Sequence, residues 1–109
     1  MISLKIDDLN WTKQNGLIPV VVQDNLSKDI LMVAYANKEA LEKTCTTKLA
    51  HFWSRSKQKL WLKGETSGNT QKIIDVLIDC DEDTILYLVE SNGPACHTGN
   101  RSCFFRNID

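Results

Sequence analysis

Glycine and proline are scarce in this 109-residue chain, at five and two residues, which excludes a collagen-like repeat and leaves little material for a flexible linker. An excess of one charge is also missing. Thirteen basic residues against 14 acidic ones leave a formal net charge of -1, so no field across the whole sequence favours nucleic acid or an anionic membrane. No apolar run approaches the ~20 residues of a membrane-spanning helix. The opening Met1-Ile2-Ser3-Leu4-Lys5-Ile6-Asp7-Asp8 turns acidic where a secretion signal needs its apolar core. The expected location is therefore the cytoplasm, where the four cysteines are thiols or metal ligands rather than disulfides.

What is present suits one folded domain spanning residues 1–109. Hydrophobic residues make up 42% of the chain, with three Trp and three Phe, enough for one core and too many for a disordered segment. The neutral total conceals two opposed stretches. Arg55, Lys57, Lys59 and Lys63 lie in a run without acids, and Asp75, Asp79, Asp81, Glu82 and Asp83 in a run without bases. Opposite signs kept apart in this way fit a site holding an anion and a cation better than a duplex-binding face.

The periodicity predicts a mainly β, α+β fold: a compact antiparallel β domain with one main helix. Ile18-Pro19-Val20-Val21-Val22 and Ile30-Leu31-Met32-Val33-Ala34-Tyr35 read as a hairpin, with Pro19 near the start of its strand or on an edge. Asn37 caps a helix running to about Lys48, with Ala40, Leu41, Thr44 and Cys45 on one face. Further strands are expected around 50–54, 60–63, 72–80 and 85–89. The loop 91–100 carries two glycines, a proline, Cys96 and His97.

Chemistry concentrates in three places. Fifteen residues separate Cys80 from Cys96, and six separate Cys96 from Cys103, so neither gap is a zinc knuckle. Three thiolates would nevertheless leave zinc a fourth position for water, as a catalytic centre requires. On the residues alone, small buried hydrophobes remain an equal reading of these cysteines, and Cys45 on the helix face reads as packing. Asp79, Asp81 and Asp83, pointing to one side of an extended segment, suit Mg²⁺ or else form a solvated acidic turn. An EF-hand is rejected, since Thr84 stands where that loop needs glycine. The segment Lys63-Gly64-Glu65-Thr66-Ser67-Gly68-Asn69 offers N–H groups, hydroxyls and a cation to an anion, or is an ordinary turn. His97 reads as ligand, general base or surface residue, and His51 as structural.

These pieces, in this order, resemble the phosphoribosyl-AMP cyclohydrolases of histidine biosynthesis. The stretches that carry the resemblance are Phe52-Trp53-Ser54-Arg55-Ser56, Leu60 to Asn69, Asp79 to Asp83, Gly93-Pro94-Ala95-Cys96-His97-Thr98-Gly99 and Ser102-Cys103-Phe104. Together they run from about Leu17 to Phe105, with departures at Lys57 and Leu62, where the family tends to arginine-rich or bulkier residues. The resemblance implies an intertwined homodimer that opens the purine ring of phosphoribosyl-AMP by hydrolysis at the N1–C6 bond. It implies zinc held by Cys80 of one chain with Cys96 and Cys103 of the other, and Mg²⁺ on Asp79, Asp81 and Asp83. With it, His97 is the candidate proton shuttle, and Arg55, Lys63, Ser67 and Asn69 are candidate contacts for the phosphorylated substrate. A closed, purely structural zinc module and a zinc deaminase are the competing readings.

Overall fold

The computed structural model describes residues 2–109. Its strands are β1 (Ile18–Asp24), β2 (Ile30–Ala36), β3 (His51–Ser54), β4 (Lys59–Leu62), β5 (Gln71–Ile78) and β6 (Ile85–Ser91), and its one α-helix is α1 (Lys38–Thr47). The fold is mainly β, as the period-2 patterning predicts. Ile18, Val20 and Val22 on β1 and Ile85, Tyr87 and Val89 on β6 are all buried, alternating with less buried neighbours.

Two hairpins, β1–β2 and β5–β6, join into a four-stranded sheet in the order β2-β1-β6-β5. Their union is parallel: Val20 to Asp24 pair with Ile85 to Val89. The other strand pairs are antiparallel as expected, and this one parallel seam is invisible to alternation, which reports which face a strand buries and not which distant strand lies beside it. Pro19 is tolerated near the start of a central strand because the ladder to β6 begins only at Val20. The short antiparallel pair β3–β4 forms a separate sheet.

The helix starts where its sequence allows. The Asn37 side chain accepts a hydrogen bond from the Ala40 N–H at 2.9 Å, and Lys48 closes the far end in a left-handed conformation. Ala40, Leu41 and Thr44 face the core, with Cys45 half-buried beside them. Thr44 also ties the layers together. Its hydroxyl donates to the Ala40 carbonyl, accepts from the His51 N–H at 2.9 Å and meets the Tyr87 hydroxyl at 3.2 Å. The Phe52 ring packs 5.1 Å from Trp61 and 5.6 Å from Tyr87, centroid to centroid, which joins the small sheet to the large one. His51 is buried, its Nδ1 at 2.8 Å from the Leu49 carbonyl oxygen, the structural place expected of it.

Candidate active site

Three loops leave this framework and carry the residues singled out above. The first is the acidic turn between β5 and β6. Asp79 folds it: its Oδ1 accepts from the N–H groups of Asp83 at 3.0 Å and Thr84 at 3.1 Å, and Glu82 takes φ +59°. Of the two readings of this segment, extended run and acidic turn, the structure has the turn, because Asp79 satisfies the backbone locally instead of continuing the ladder. Folding gathers the carboxylates all the same. One oxygen each of Asp79, Asp81 and Asp83 lie within 4.8 Å of one another.

Lys13, which sequence reasoning did not single out, sits against this cluster. Its ammonium pairs with Asp83 and lies 3.6 Å from Asp81. The hydrogen bond from Lys13 holds the Asp83 carboxyl down to about 2. Asp81 moves the other way, raised first by sharing a hydrogen bond with Asp83 and also by the charge on Asp79. Nothing within a few residues of Lys13 marks it, since its partner lies 70 residues away.

The second loop holds the thiols. Cys96 is buried at 9% exposure, and Cys103 is exposed. The Thr98 hydroxyl donates to Cys96 Sγ at 3.0 Å. That bond lowers the Cys96 thiol, helped by the Thr98 backbone, the neighbouring Cys103 thiol and the charge of Lys63. Cys103 is raised, first by partial desolvation of its sulfur and then by the neighbouring Cys96. Cys80 is exposed on the acidic turn, and among the described residues no group of three ligands joins it to Cys96 and Cys103. One chain therefore brings two of the three expected zinc ligands together. His97 is exposed beside Cys96.

The third element is a basic cleft of about 570 Å³, lined by Ser54, Lys57, Lys59, Lys63, Thr66 and Ser67 among others. Lys59, Trp61 and Lys63 alternate along β4 and its end, and period-2 reading of that stretch would have marked Lys59. Two of the expected substrate contacts, Lys63 and Ser67, line the cleft. Arg55 does not; its guanidinium lies 3.9 Å over the Tyr35 ring, beside an adjoining hollow lined by Trp53 and Trp61. Asn69 is not in the lining either. It backs against Gly93, where an added Cβ would fall 2.4 Å from Asn69 Oδ1, so this asparagine locks the third loop to the second. Asn92 reinforces the junction, its N–H reaching the Thr70 carbonyl at 2.8 Å and its side chain the Gly68 carbonyl at 3.2 Å. Lys63 completes it by donating from Nζ to the Ala95 carbonyl at 2.7 Å.

A basic cleft is thus tied through Lys63 to the loop that carries the thiol pair. The sequence profile of phosphoribosyl-AMP cyclohydrolase matches residues 32–105, a span from β2 through the thiol loop. The chain belongs to the phosphoribosyl-AMP cyclohydrolase family. It is 62% identical over 104 residues to the phosphoribosyl-AMP cyclohydrolase of Methanosarcina mazei, covering 95% of this chain and 87% of that one. It is 54% identical over 104 residues to the enzyme of that name from Cenarchaeum symbiosum, covering 95% and 96%. With that from Archaeoglobus fulgidus it shares 57% identity over 96 residues, covering 88% and 89%. As a member of this family the chain is a hydrolase of histidine biosynthesis acting on C–N bonds of cyclic amidines, with a phosphorylated nucleotide as substrate. Among the described residues no helix is long and apolar enough to cross a membrane.

Proposed function

We propose that the chain opens the purine ring of phosphoribosyl-AMP by hydrolysis at N1–C6, with zinc on shared thiols, in a homodimer of the cytoplasm. The observation that carries this reading is the bond from Lys63, which lines the basic cleft, to Ala95 on the loop of Cys96 and Cys103. The donor set fits a soft, thiolate-seeking cation: Cys96 and Cys103 stand on one loop, and the Thr98 hydroxyl bond, with the Lys63 charge in support, favours the ionised Cys96. Cys96 and Cys103 of one protomer, with Cys80 from a second copy, would hold zinc. Zinc bound by three protein ligands supplies activation of water for attack on an electrophilic carbon.

The other roles belong to the chain's own groups. A ribosyl phosphate on N1 makes the ring electron-poor, and C6 is then the atom open to water. The cleft cations Lys57, Lys59 and Lys63, with the Ser54, Thr66 and Ser67 hydroxyls, hold a phosphate. Exposed His97 takes the proton from the attacking water and returns it to N1 as the N1–C6 bond breaks. Asp79, Asp81 and Asp83 form a hard oxygen donor set suited to Mg²⁺, which would neutralise the substrate's second phosphate. Arg55, held over Tyr35, borders the aromatic hollow next to the cleft and orients the purine end.

The test is turnover of phosphoribosyl-AMP followed by ultraviolet absorbance and mass spectrometry. The expected product carries one added water and releases no ammonia. Ammonia release would replace ring opening by deamination, and a folded, zinc-loaded protein without turnover would favour the structural zinc module.

A further inference from the structure

Arg101 grips the β1–β2 turn from the thiol loop. Its guanidinium pairs with Asp29, meets Ser27 Oγ at 3.0 Å and lies 3.5 Å from Asp24 Oδ2. The receiving turn is itself organised: Asp24 Oδ2 accepts from the N–H groups of Leu26 and Ser27 at 3.1 and 2.8 Å, and from the Ser27 hydroxyl at 3.0 Å. Two further bonds continue the grip, from the Ser102 hydroxyl to the Ile30 carbonyl and from the Cys103 N–H to the Leu31 carbonyl, each at 2.7 Å.

The thiol loop is therefore a small clasp held at both limbs. Within it, the Ala95 N–H bonds to the Arg101 carbonyl, the Cys96 N–H to the Asn100 carbonyl and the Gly99 N–H to the Cys96 carbonyl, at 3.0, 3.2 and 3.0 Å. Lys63 holds the first limb at Ala95, one residue before Cys96. Arg101 holds the second, two residues before Cys103. The two limbs that carry the sulfurs are thus anchored to two different parts of the fold.

We infer that Arg101, through Asp24, Ser27 and Asp29, is a positioning residue that sets the separation of Cys96 and Cys103 for a thiolate-seeking metal. The inference rests on the zinc reading above. Arg101 and Asp29 are both about half exposed, at 52% and 55% of their side-chain surface, and ion pairs of that kind add little to stability. Groups that orient metal ligands, by contrast, typically change metal affinity 10- to 100-fold when removed. Removing Arg101 should leave the fold in place and loosen the metal.

The experiment is zinc competition against a chromophoric chelator, with thermal unfolding of the same samples, for wild type, Arg101→Ala, Arg101→Lys, Asp29→Asn and the double variant Asp29→Arg/Arg101→Asp. The expected result for Arg101→Ala is a zinc affinity roughly 10- to 100-fold weaker with a nearly unchanged melting temperature. Arg101→Lys and the exchanged pair should recover part of the affinity. Should Arg101→Ala fail to fold, Asp29→Asn and Arg101→Lys carry the comparison through the other end of the pair. Wild-type zinc affinity in all the Arg101 and Asp29 variants overturns the inference, as does loss of stability without loss of affinity. Cys103→Ser in the same assay separates the two levels. If it keeps zinc as tightly as wild type, the zinc reading fails and this inference with it; if it loses zinc while Arg101→Ala does not, only the positioning role falls.

Discussion

Lys63 Nζ donates to the Ala95 carbonyl oxygen at 2.7 Å, across 32 residues of sequence, and so fastens the end of β4 to the loop that carries Cys96. The same ammonium lines the basic cleft, and its charge adds to the Thr98 hydrogen bond that lowers the Cys96 thiol. A charged hydrogen bond of this kind is worth about 1.5–3 kcal/mol. Lys63→Met should therefore lower kcat/KM for phosphoribosyl-AMP roughly 10- to 100-fold, through both a higher KM and weaker zinc retention. Steady-state kinetics with parallel zinc analysis checks this, and an effect on KM alone would leave Lys63 with the phosphate only.

The acidic turn contains a built-in competitor for a divalent cation. Lys13 already pairs with Asp83 and approaches Asp81, so Lys13→Ala should lower the Mg²⁺ concentration for half-maximal activity. Asp81→Asn should raise it. Activity titrations with Mg²⁺ distinguish the two, and curves unchanged in both variants would remove the turn from the reaction.

The same contact has a pH signature in metal-free protein. Asp83 is depressed to about 2 by its bond to Lys13. Its stabilising contribution is present above the ordinary carboxyl value of 3.8 and is lost as the pH falls through the folded value. A carboxyl-detected NMR titration should show this midpoint in wild type and a higher one in Lys13→Ala.

The cysteines divide by environment. Cys103→Ser should abolish zinc binding and turnover. Cys45 is half-buried on α1, where burial pushes its thiol up, and Cys45→Ser should keep both at a cost of about 1 kcal/mol in stability. Metal analysis and denaturant unfolding of the two variants test the division.

Core packing gives a further check that is independent of chemistry. Phe52 is fully buried between Trp61 and Tyr87, and Phe52→Ala should cost about 3–5 kcal/mol. Tyr87→Phe removes only the hydroxyl at Thr44 and should cost about 1 kcal/mol. Chemical denaturation measures both.

Local features of this fold were legible in its sequence, and distant pairings were not. The cap at Asn37, the hairpin strands and the buried alternation of β1 follow from neighbours within a few residues. The parallel seam between β1 and β6 joins segments more than 60 residues apart, and no periodicity encodes it. The site divides in the same way. Asp79, Asp81 and Asp83 do converge, in the acidic turn the sequence marks and Asp79 builds. The charge of Arg55 is plain from the sequence, while its seat on Tyr35 is a tertiary accident of β2 lying beside β3. Lys13 and Arg101 escaped notice because each is defined by a partner some 70 residues away.

The most direct test of the account is subunit complementation between Cys80→Ser and Cys103→Ser. Each variant alone should be inactive, because every site would lack one thiol. Mixed after reversible dissociation, they should form heterodimers in which one site of the two has all three thiols, restoring about a quarter of wild-type turnover for random pairing. An inactive mixture, with heterodimers verified by mass spectrometry, would contradict a site shared between two chains.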